Sequence, residues 1–95
     1  YPAETEGVIK EMPGVAESAV IGVPHPDFGE VGVAVVIARA GATVDPDQVI
    51  AALKAQMANF KILKRCFVVE ELPRNTMGKV QKALLREQHK GLFGG

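Results

Sequence analysis

Alternating stretches of apolar and polar residues divide the chain into helix-like and strand-like segments. Pro2, followed closely by two glutamates, predicts a helix whose first turn carries the negative charge that a helix dipole favours. Pro13 and Gly14 predict its end. The segments 15–23 and 31–40 are rich in β-branched residues and predict two strands. Because the prolines between them cannot continue a strand, the pair is expected to form an antiparallel hairpin.

The remainder of the chain predicts two more helices and one more strand. Asp45 and Pro46 are typical of a helix start, since an aspartate caps the first turn and a proline suits the first helical position. The apolar stripe of this helix consists of Val49, Ile50, Leu53 and Met57. A strand at 66–69, a loop at 73–78 and a helix at 82–90 follow. This order predicts the α+β class, with a small antiparallel sheet (about three strands plus a short one) and helices packed on it.

Five further side chains are predicted to have structural rather than chemical roles. Leu84 and Leu85 are expected to face the core from the last helix. Cys66, on a strand, is expected to be a small buried hydrophobic residue. His25 lies between two prolines and is expected to pack within its loop. Lys82 is expected to be a surface charge at the start of the last helix.

Composition and charge exclude several classes of protein. The 95 residues, 47% of them apolar and 23% charged, fit one globular domain. No apolar run approaches the roughly 20 residues of a membrane-spanning helix. Equal numbers of basic and acidic residues predict no nucleic-acid partner, and a single cysteine excludes an internal disulfide. One cysteine and two histidines are too few for a usual zinc site. We therefore expect a cytoplasmic protein that binds no metal of its own.

The zero net charge conceals an asymmetry between the two parts of the chain. Residues 1–59 contain three basic and eight acidic residues, a net charge of −5, and residues 60–95 contain eight basic and three acidic residues, a net charge of +5. The basic part is a plausible place for an anionic ligand. Alternatively, the two parts complement each other across the fold, and charge alone favours this second interpretation.

The segment Leu72–Val80 is the most informative stretch for chemistry. Within it, Gly78 permits a close backbone approach to a ligand, and Lys79 supplies a compact cation for phosphate or carboxylate oxygens. A phosphate-binding loop of the Walker type is excluded, because Pro73 and Val80 stand where that pattern needs glycine and serine or threonine. From the residues alone, an anion contact and an ordinary turn with a solvated lysine remain alternatives.

A family resemblance extends along the chain from Tyr1 to about Lys90. Residues 72–82 resemble the last conserved motif of the adenylate-forming superfamily, which includes acyl- and aryl-CoA synthetases, peptide-synthetase adenylation domains and luciferases. Tyr1-Pro2-Ala3-Glu4, residues 20–30 and residues 60–65 resemble, in the expected order, parts of the C-terminal domain of that superfamily. The hairpin and the string Pro-Arg-Asn-Thr-Met-Gly-Lys-Val-Gln-Lys are most similar to malonyl-CoA synthetases. The chain departs from many relatives at Ile62 and Leu63, where arginine and proline occur in the family.

The resemblance implies a mobile lid in a two-step enzyme. Such enzymes join a carboxylate to ATP, releasing pyrophosphate, and CoA thiol then displaces AMP. Lys79, preceded by Gly78, matches the lysine of the adenylation step. A cation there would neutralise the charge that builds when a carboxylate attacks the α-phosphate. ATP and CoA are then substrates, Mg²⁺ accompanies ATP in the large domain, and this domain alone holds no cofactor.

The resemblance also implies a second functional face, brought to the pantetheine tunnel when the domain rotates after adenylation. Phe28, Gly29 and Glu30 match this face. Gly29 either gives clearance for a thin ligand or is an ordinary hairpin glycine. Glu30 is expected to be a solvated or capping carboxylate rather than a catalytic base.

Three further residues match positions at which relatives contact the nucleotide part of CoA. An aromatic ring at Phe60 can stack on adenine, while Lys61 and Lys64 can meet phosphates. Alternatively, Phe60 belongs to the core and the two lysines form a hydrated edge. The departures at 62 and 63 lie within this segment.

These observations predict a domain that works with the rest of a larger enzyme. Residues 1–90 are expected to form the C-terminal lid and 91–95 a flexible tail, with the large ATP- and acid-binding domain, its partner, outside this chain. The isolated domain is expected to be inactive. Malonate or methylmalonate is the expected acid. The alternatives are a ligase for another short or fatty carboxylate, a carrier-protein adenylation domain, or a non-enzymatic ubiquitin-like module, suggested by Gly94-Gly95.

Overall fold

The computed structural model of the chain describes residues 3–56 and 63–93. These residues form three helices and three strands, in the order α1 (Ala3–Lys10), β1 (Val15–His25), β2 (Gly29–Ala38), α2 (Pro46–Gln56), β3 (Leu63–Val69) and α3 (Lys82–His89). Each segment predicted from the sequence therefore corresponds to one element. The predictions that lie outside the described residues concern Tyr1, Pro2, Met57, Phe60, Lys61, Ile62 and the pair Gly94-Gly95.

The start of α2 shows how local sequence signals set an element boundary. The Asp45 side chain accepts a hydrogen bond from the backbone N–H of Asp47 at 2.9 Å, and Pro46 is the first helical residue. The carboxylate satisfies one of the backbone donors that a helix start leaves without a partner. The predicted cap is confirmed.

The sheet has the strand order β1-β2-β3 and mixed directions. β1 and β2 form the predicted antiparallel hairpin, with His25 opposite Gly29 at its closed end. β3 instead runs parallel to β2, with Phe67 beside Val35. The α+β class is confirmed, and the prediction of an antiparallel sheet is corrected at β3. The physical reason is the helix between β2 and β3, which lets the chain return along the sheet and enter β3 in the direction of β2.

Side chains from the two faces of the sheet form two separate cores. One core lies under α1 and α2 and includes Ile9, Val20, Val36, Val49, Leu53 and Cys66. The other lies under α3 and includes Ile21, Val23, Val33, Val35, Leu72 and Leu85. This division follows from the alternation of side chains along each strand. The sheet is therefore covered on both faces, by α1 and α2 on one and by α3 on the other.

The two leucines of α3 differ in their surroundings. Leu85 is buried, as predicted, whereas the Leu84 side chain is 43% exposed. The prediction that both face the core was therefore wrong for Leu84. Successive residues of a helix point about 100° apart, so α3 turns only one of the two neighbours fully towards the sheet.

Glu6 joins α1 to the edge of the sheet and to α3. Its carboxylate accepts a hydrogen bond of 2.7 Å from the backbone N–H of Val20 and forms an ion pair of 2.7 Å with Lys82. The hydroxyl of Ser18 donates a bond of 2.8 Å to the Glu6 carbonyl. β1 is an edge strand, and the bond from Val20 occupies a backbone N–H that would otherwise be open for pairing. Lys82 is thus a partly exposed charge with a structural partner.

Candidate functional site

The loop between β3 and α3 is a short hairpin with paired arms. Three pairs of residues face each other across it: Pro73 with Gln81, Arg74 with Val80, and Asn75 with Lys79. The first and third pairs form backbone hydrogen bonds of 2.8 and 2.9 Å, and the second is an isolated antiparallel bridge. We call residues 73–81 the lysine loop. Its backbone is held by its own hydrogen bonds rather than by solvent alone.

The tip of the lysine loop is organised by the side chain of Asn75. The amide oxygen of Asn75 accepts hydrogen bonds from the backbone N–H groups of Met77 at 2.9 Å and Lys79 at 3.0 Å. Gly78 adopts a positive φ of 82° and donates its N–H to the Asn75 carbonyl at 3.0 Å. That backbone conformation favours glycine, which explains the Gly78 that the sequence places before the lysine.

Lys79 is exposed at the end of this hairpin. Within residues 3–56 and 63–93, its ammonium forms no hydrogen bond or ion pair. A lysine with these surroundings has its charge available to an anion. The same geometry also fits a solvated lysine, which is the other interpretation of this loop.

Arg74 attaches the lysine loop to the sheet. One guanidinium nitrogen donates to the Gly78 carbonyl at 3.1 Å, and another forms an ion pair with the Glu17 carboxylate on β1. Sequence reasoning did not find this contact. Glu17 and Arg74 are 57 positions apart, and no local pattern relates them.

A second cluster lies at the closed end of the β1–β2 hairpin. The Phe28 ring is half exposed, and the Lys64 ammonium lies 4.9 Å from its centroid. The ring of His25 lies 4.8 Å from that of Phe28 and 5.0 Å from that of Phe93. His25 also accepts a hydrogen bond of 3.0 Å from the backbone N–H of Asp27. We call Phe28, His25, Lys64 and Phe93 the aromatic cluster.

The aromatic cluster brings together two of the six residues predicted to contact CoA. Phe28 and Lys64 meet in it, although they belong to different elements. Phe60 and Lys61 lie outside the described residues. The prediction that His25 packs within its loop is confirmed by its contacts with Phe28 and Asp27. Its ring also contacts Phe93, which lies outside that loop.

Gly29 and Glu30 open β2 beside this cluster. Gly29 has a positive φ of 77°, and no atom lies within 4 Å of the place where a Cβ would be. Its glycine is therefore explained by backbone conformation, as in an ordinary hairpin. The Glu30 carboxyl carbon lies 2.5 Å from the place of a Cβ on Gly22. The Glu30 side chain thus lies across Gly22 on the surface of the sheet, where Glu30 remains exposed.

The lysine loop and the aromatic cluster lie towards opposite ends of β1. Glu17, which anchors the loop, is near the start of this strand, and His25 is its last residue. At about 3.3 Å per residue, the two positions are roughly 26 Å apart.

A cleft of about 300 Å³, lined by Val8, Met12 and Val44 among others, opens between α1 and α2 and contains no predicted site residue.

Cys66 is buried and chemically quiet. Burial, with a smaller contribution from the Asp47 carboxylate, raises the pKa of its thiol from 9.0 to about 11. The thiol is therefore neutral near pH 7, and the predicted structural role of Cys66 is confirmed.

The part of the chain that the structure describes was compared with the requirements of a metal-ligand cluster and of a membrane-spanning helix. Three or more histidine, cysteine, aspartate or glutamate side chains never come together there in a way that could hold a metal ion. None of its helices is long and apolar enough to cross a membrane.

Residues 4–79 match the family described as the AMP-binding enzyme C-terminal domain. Among curated proteins, the chain is 51% identical over 90 residues to the 3-[(3aS,4S,7aS)-7a-methyl-1,5-dioxo-octahydro-1H-inden-4-yl]propanoyl:CoA ligase of Rhodococcus jostii, covering 95% of this chain and 18% of the relative. It is 42% identical to a long-chain-fatty-acid–CoA ligase of Mycobacterium tuberculosis, covering 94% of this chain and 18% of that protein.

Solved structures give a consistent picture. Apo MatB from Rhodopseudomonas palustris is 57% identical and superposes with a TM-score of 0.91, covering 98% of this chain and 19% of that one. A Mycobacterium tuberculosis fatty acyl CoA synthetase is 39% identical, with a TM-score of 0.83, covering 97% of this chain and 18% of that one. The chain thus spans about a fifth of the length of the proteins it matches.

Proposed function

The chain belongs to the AMP-binding enzyme C-terminal domain family, in the acyl-CoA synthetase branch of the adenylate-forming superfamily, and from this membership we propose that it is the mobile lid of an ATP-dependent, AMP-forming acid–CoA ligase. In this proposal the lid serves two half-reactions in turn. It presents the lysine loop for adenylation and the aromatic cluster for thioester formation. The large domain supplies the sites for ATP with its Mg²⁺ and for the acid.

The proposed role of Lys79 is electrostatic. When a carboxylate attacks the α-phosphate of ATP, two anions approach and negative charge accumulates on the phosphoryl oxygens. A lysine held beside them stabilises that charge, and no proton transfer is required of it. Lys79 suits this role because its ammonium has no partner among the described residues and its backbone is braced. This exposed lysine on a braced hairpin is the observation that carries the proposal.

The proposed role of the aromatic cluster is contact with CoA. Phe28 offers a half-exposed apolar ring, and Lys64 offers a cation beside it. Such a pair suits a ligand with both a thin apolar arm and phosphates. The distance of about 26 Å along β1 supports a rotation between the two half-reactions, because both ends of that strand cannot face one reaction centre together.

We propose malonate or methylmalonate as the acid. The similarity of the hairpin and lysine-loop strings to malonyl-CoA synthetases supports this choice. The names of the relatives also include ligases for a long-chain fatty acid and for a ring-bearing propanoate, so these carboxylates are the alternatives. Membership of the family contradicts the ubiquitin-like alternative.

The test compares wild type with Lys79→Ala in the intact enzyme, with the two half-reactions measured separately. Acid-dependent ATP–pyrophosphate exchange reports adenylation, and consumption of CoA with supplied acyl-adenylate reports thioester formation. We expect Lys79→Ala to lower the exchange rate by about 10²–10³, the usual effect of removing one transition-state charge contact, and to retain thioester formation.

A matched control is Lys54→Ala, which removes an exposed lysine from the last turn of α2. This variant should retain both half-reactions. If Lys79→Ala also retains both, Lys79 is a surface lysine and the proposed function of the loop is wrong.

A further inference from the structure

We propose that Glu17 and Arg74 are positioning residues for Lys79. The ion pair between them joins β1 to the lysine loop and holds the backbone of Lys79 in place for adenylation. This inference rests on the proposed function of Lys79. It adds two residues that touch neither the acid nor ATP in the proposal. Their effect is exerted on the backbone from which the lysine side chain extends.

The peptide unit between Gly78 and Lys79 is held at both ends. Its carbonyl oxygen, on Gly78, accepts a hydrogen bond from the Arg74 guanidinium at 3.1 Å. Its N–H, on Lys79, donates to the Asn75 side chain at 3.0 Å. A peptide unit fixed at its oxygen and its hydrogen cannot rotate without breaking one of these bonds. The direction in which the Lys79 side chain leaves the loop is therefore set by two polar side chains.

Glu17 fixes the guanidinium that holds this peptide. Arg74 uses one nitrogen for Gly78 and another for the Glu17 carboxylate, so its planar fork bridges the loop and β1. An arginine suits this geometry because its donors are rigidly arranged. β1 pairs with β2 and packs against α1 and α3. A residue on such a strand is a firmer support than a residue on a loop.

A firm support matters for a lysine in particular. Its ammonium lies at the end of four methylene groups and is a compact charge, so its position depends on where its backbone is held. Misplacing a catalytic group by 1 Å can cost about 100-fold in rate. Gly78, the preceding residue, has no Cβ and is free to adopt many backbone conformations, and the bond from Arg74 to its carbonyl restricts this freedom.

The ion pair is partly exposed, and this sets the size of the expected effect. The side chains of Arg74 and Glu17 are 34% and 41% exposed. Coupling in an exposed pair of this kind corresponds to at most about fivefold in an equilibrium. The loss on breaking it should therefore be much smaller than the loss on removing Lys79 itself.

The experiment uses the intact enzyme and a double-mutant cycle. The variants are Glu17→Gln, Arg74→Gln and the two together, and each is measured by acid-dependent ATP–pyrophosphate exchange and by thioester formation from supplied acyl-adenylate. We expect Glu17→Gln to lower kcat for exchange about twofold to fivefold, with KM for ATP and the thioester half-reaction unchanged. Because Glu17 acts through Arg74, adding Glu17→Gln to Arg74→Gln should cause no further loss.

The matched control is Glu87→Gln, which breaks the exposed ion pair between Glu87 and Lys90 at the end of α3. It removes a paired carboxylate without touching the lysine loop and should leave both half-reactions unchanged. An arginine that bound phosphate directly would instead raise KM for ATP when replaced, and that result would overturn the proposal.

The remaining outcomes separate this inference from the proposed function. If Lys79→Ala loses exchange while Glu17→Gln keeps it, the positioning role is wrong and the lid function stands. If Glu17→Gln lowers both half-reactions equally, the ion pair only stabilises the fold, and the inference is overturned. Exchange that survives in Lys79→Ala overturns both proposals together.

Discussion

Cys66 illustrates how surroundings determine the chemistry of a single residue. Its thiol lies in the core under α2, where burial raises its pKa from 9.0 to about 11. Burial penalises the charged thiolate, and the nearby Asp47 carboxylate adds to this effect. Between pH 9 and 11 the unfolded chain loses the thiol proton that the folded chain keeps. The stability contributed by the neutral thiol is therefore complete below pH 9 and is lost as the pH rises through this window.

We expect alkylation of Cys66 by iodoacetamide at pH 8 to be at least about 100-fold slower in the folded chain than in the chain unfolded by urea. The reason is that thiolate is the reacting species, and a pKa of about 11 instead of 9.0 lowers the thiolate fraction at pH 8 by this factor. Mass spectrometry of timed samples gives both rates. Equal rates in the two states would contradict the buried, neutral thiol.

At the scale of a secondary-structure element, α3 presents one leucine to the core and its neighbour to solvent. Leu85→Ala should lower the free energy of unfolding by about 2–4 kcal/mol, because it removes buried methyl groups and leaves a cavity. Leu84→Ala, at a position that is 43% exposed, is the matched control and should change it by less than about 0.5 kcal/mol. Thermal unfolding of the chain distinguishes the two, since a change of 1 kcal/mol shifts Tm by about 4–8 °C. Equal shifts would show that the helix face is assigned wrongly.

The elements also mark how far sequence reasoning extends. The start of α2 was predictable because Asp45 and Pro46 act within one turn, and the hairpin was predictable because its strands are neighbours in the chain. The direction of β3 was not, because it depends on where the chain re-enters the sheet after α2. The inward face of α3 was ambiguous, since Leu84 and Leu85 are adjacent apolar residues and only tertiary packing selects between them.

The residues of the two candidate sites differ in the same way in how far the sequence predicts them. The position of Lys79 in a loop before the last helix was predictable from the motif. The anchor between Arg74 and Glu17 was not, because it joins residues 57 positions apart through the fold. The contact of Lys64 with Phe28 likewise depends on β3 lying beside β2, which brings distant segments together.

At the scale of the whole molecule, the acidic and basic parts of the chain meet across the fold. In the part of the chain that the structure describes, Glu17 pairs with Arg74 and Glu6 pairs with Lys82. Each pair joins an acidic residue of the segment 1–59 to a basic residue of the segment 60–95. Part of the charge asymmetry therefore serves ion pairs within the fold. This is the interpretation that the charge distribution alone favoured. Lys79, on the lysine loop, belongs to neither pair. Among the described residues its ammonium forms no ion pair.

The lysine loop and the aromatic cluster lie towards opposite ends of β1, and this separation leads to a prediction for the aromatic cluster in the intact enzyme. Phe28→Ala combined with Lys64→Gln should raise KM for CoA in thioester formation by about fivefold to tenfold, because it removes an exposed aromatic contact and its adjacent cation. ATP–pyrophosphate exchange should be unchanged, since the lysine loop lies at the other end of β1. Leu84→Ala, which removes an exposed apolar side chain from α3, is the control and should alter neither half-reaction.

Loss of exchange in the double variant, with KM for CoA unchanged, would mean that the two ends of the strand do not serve separate steps. Because Lys79→Ala and this double variant should fail in opposite half-reactions, the pair together tests whether one small domain divides its two ends between two reactions.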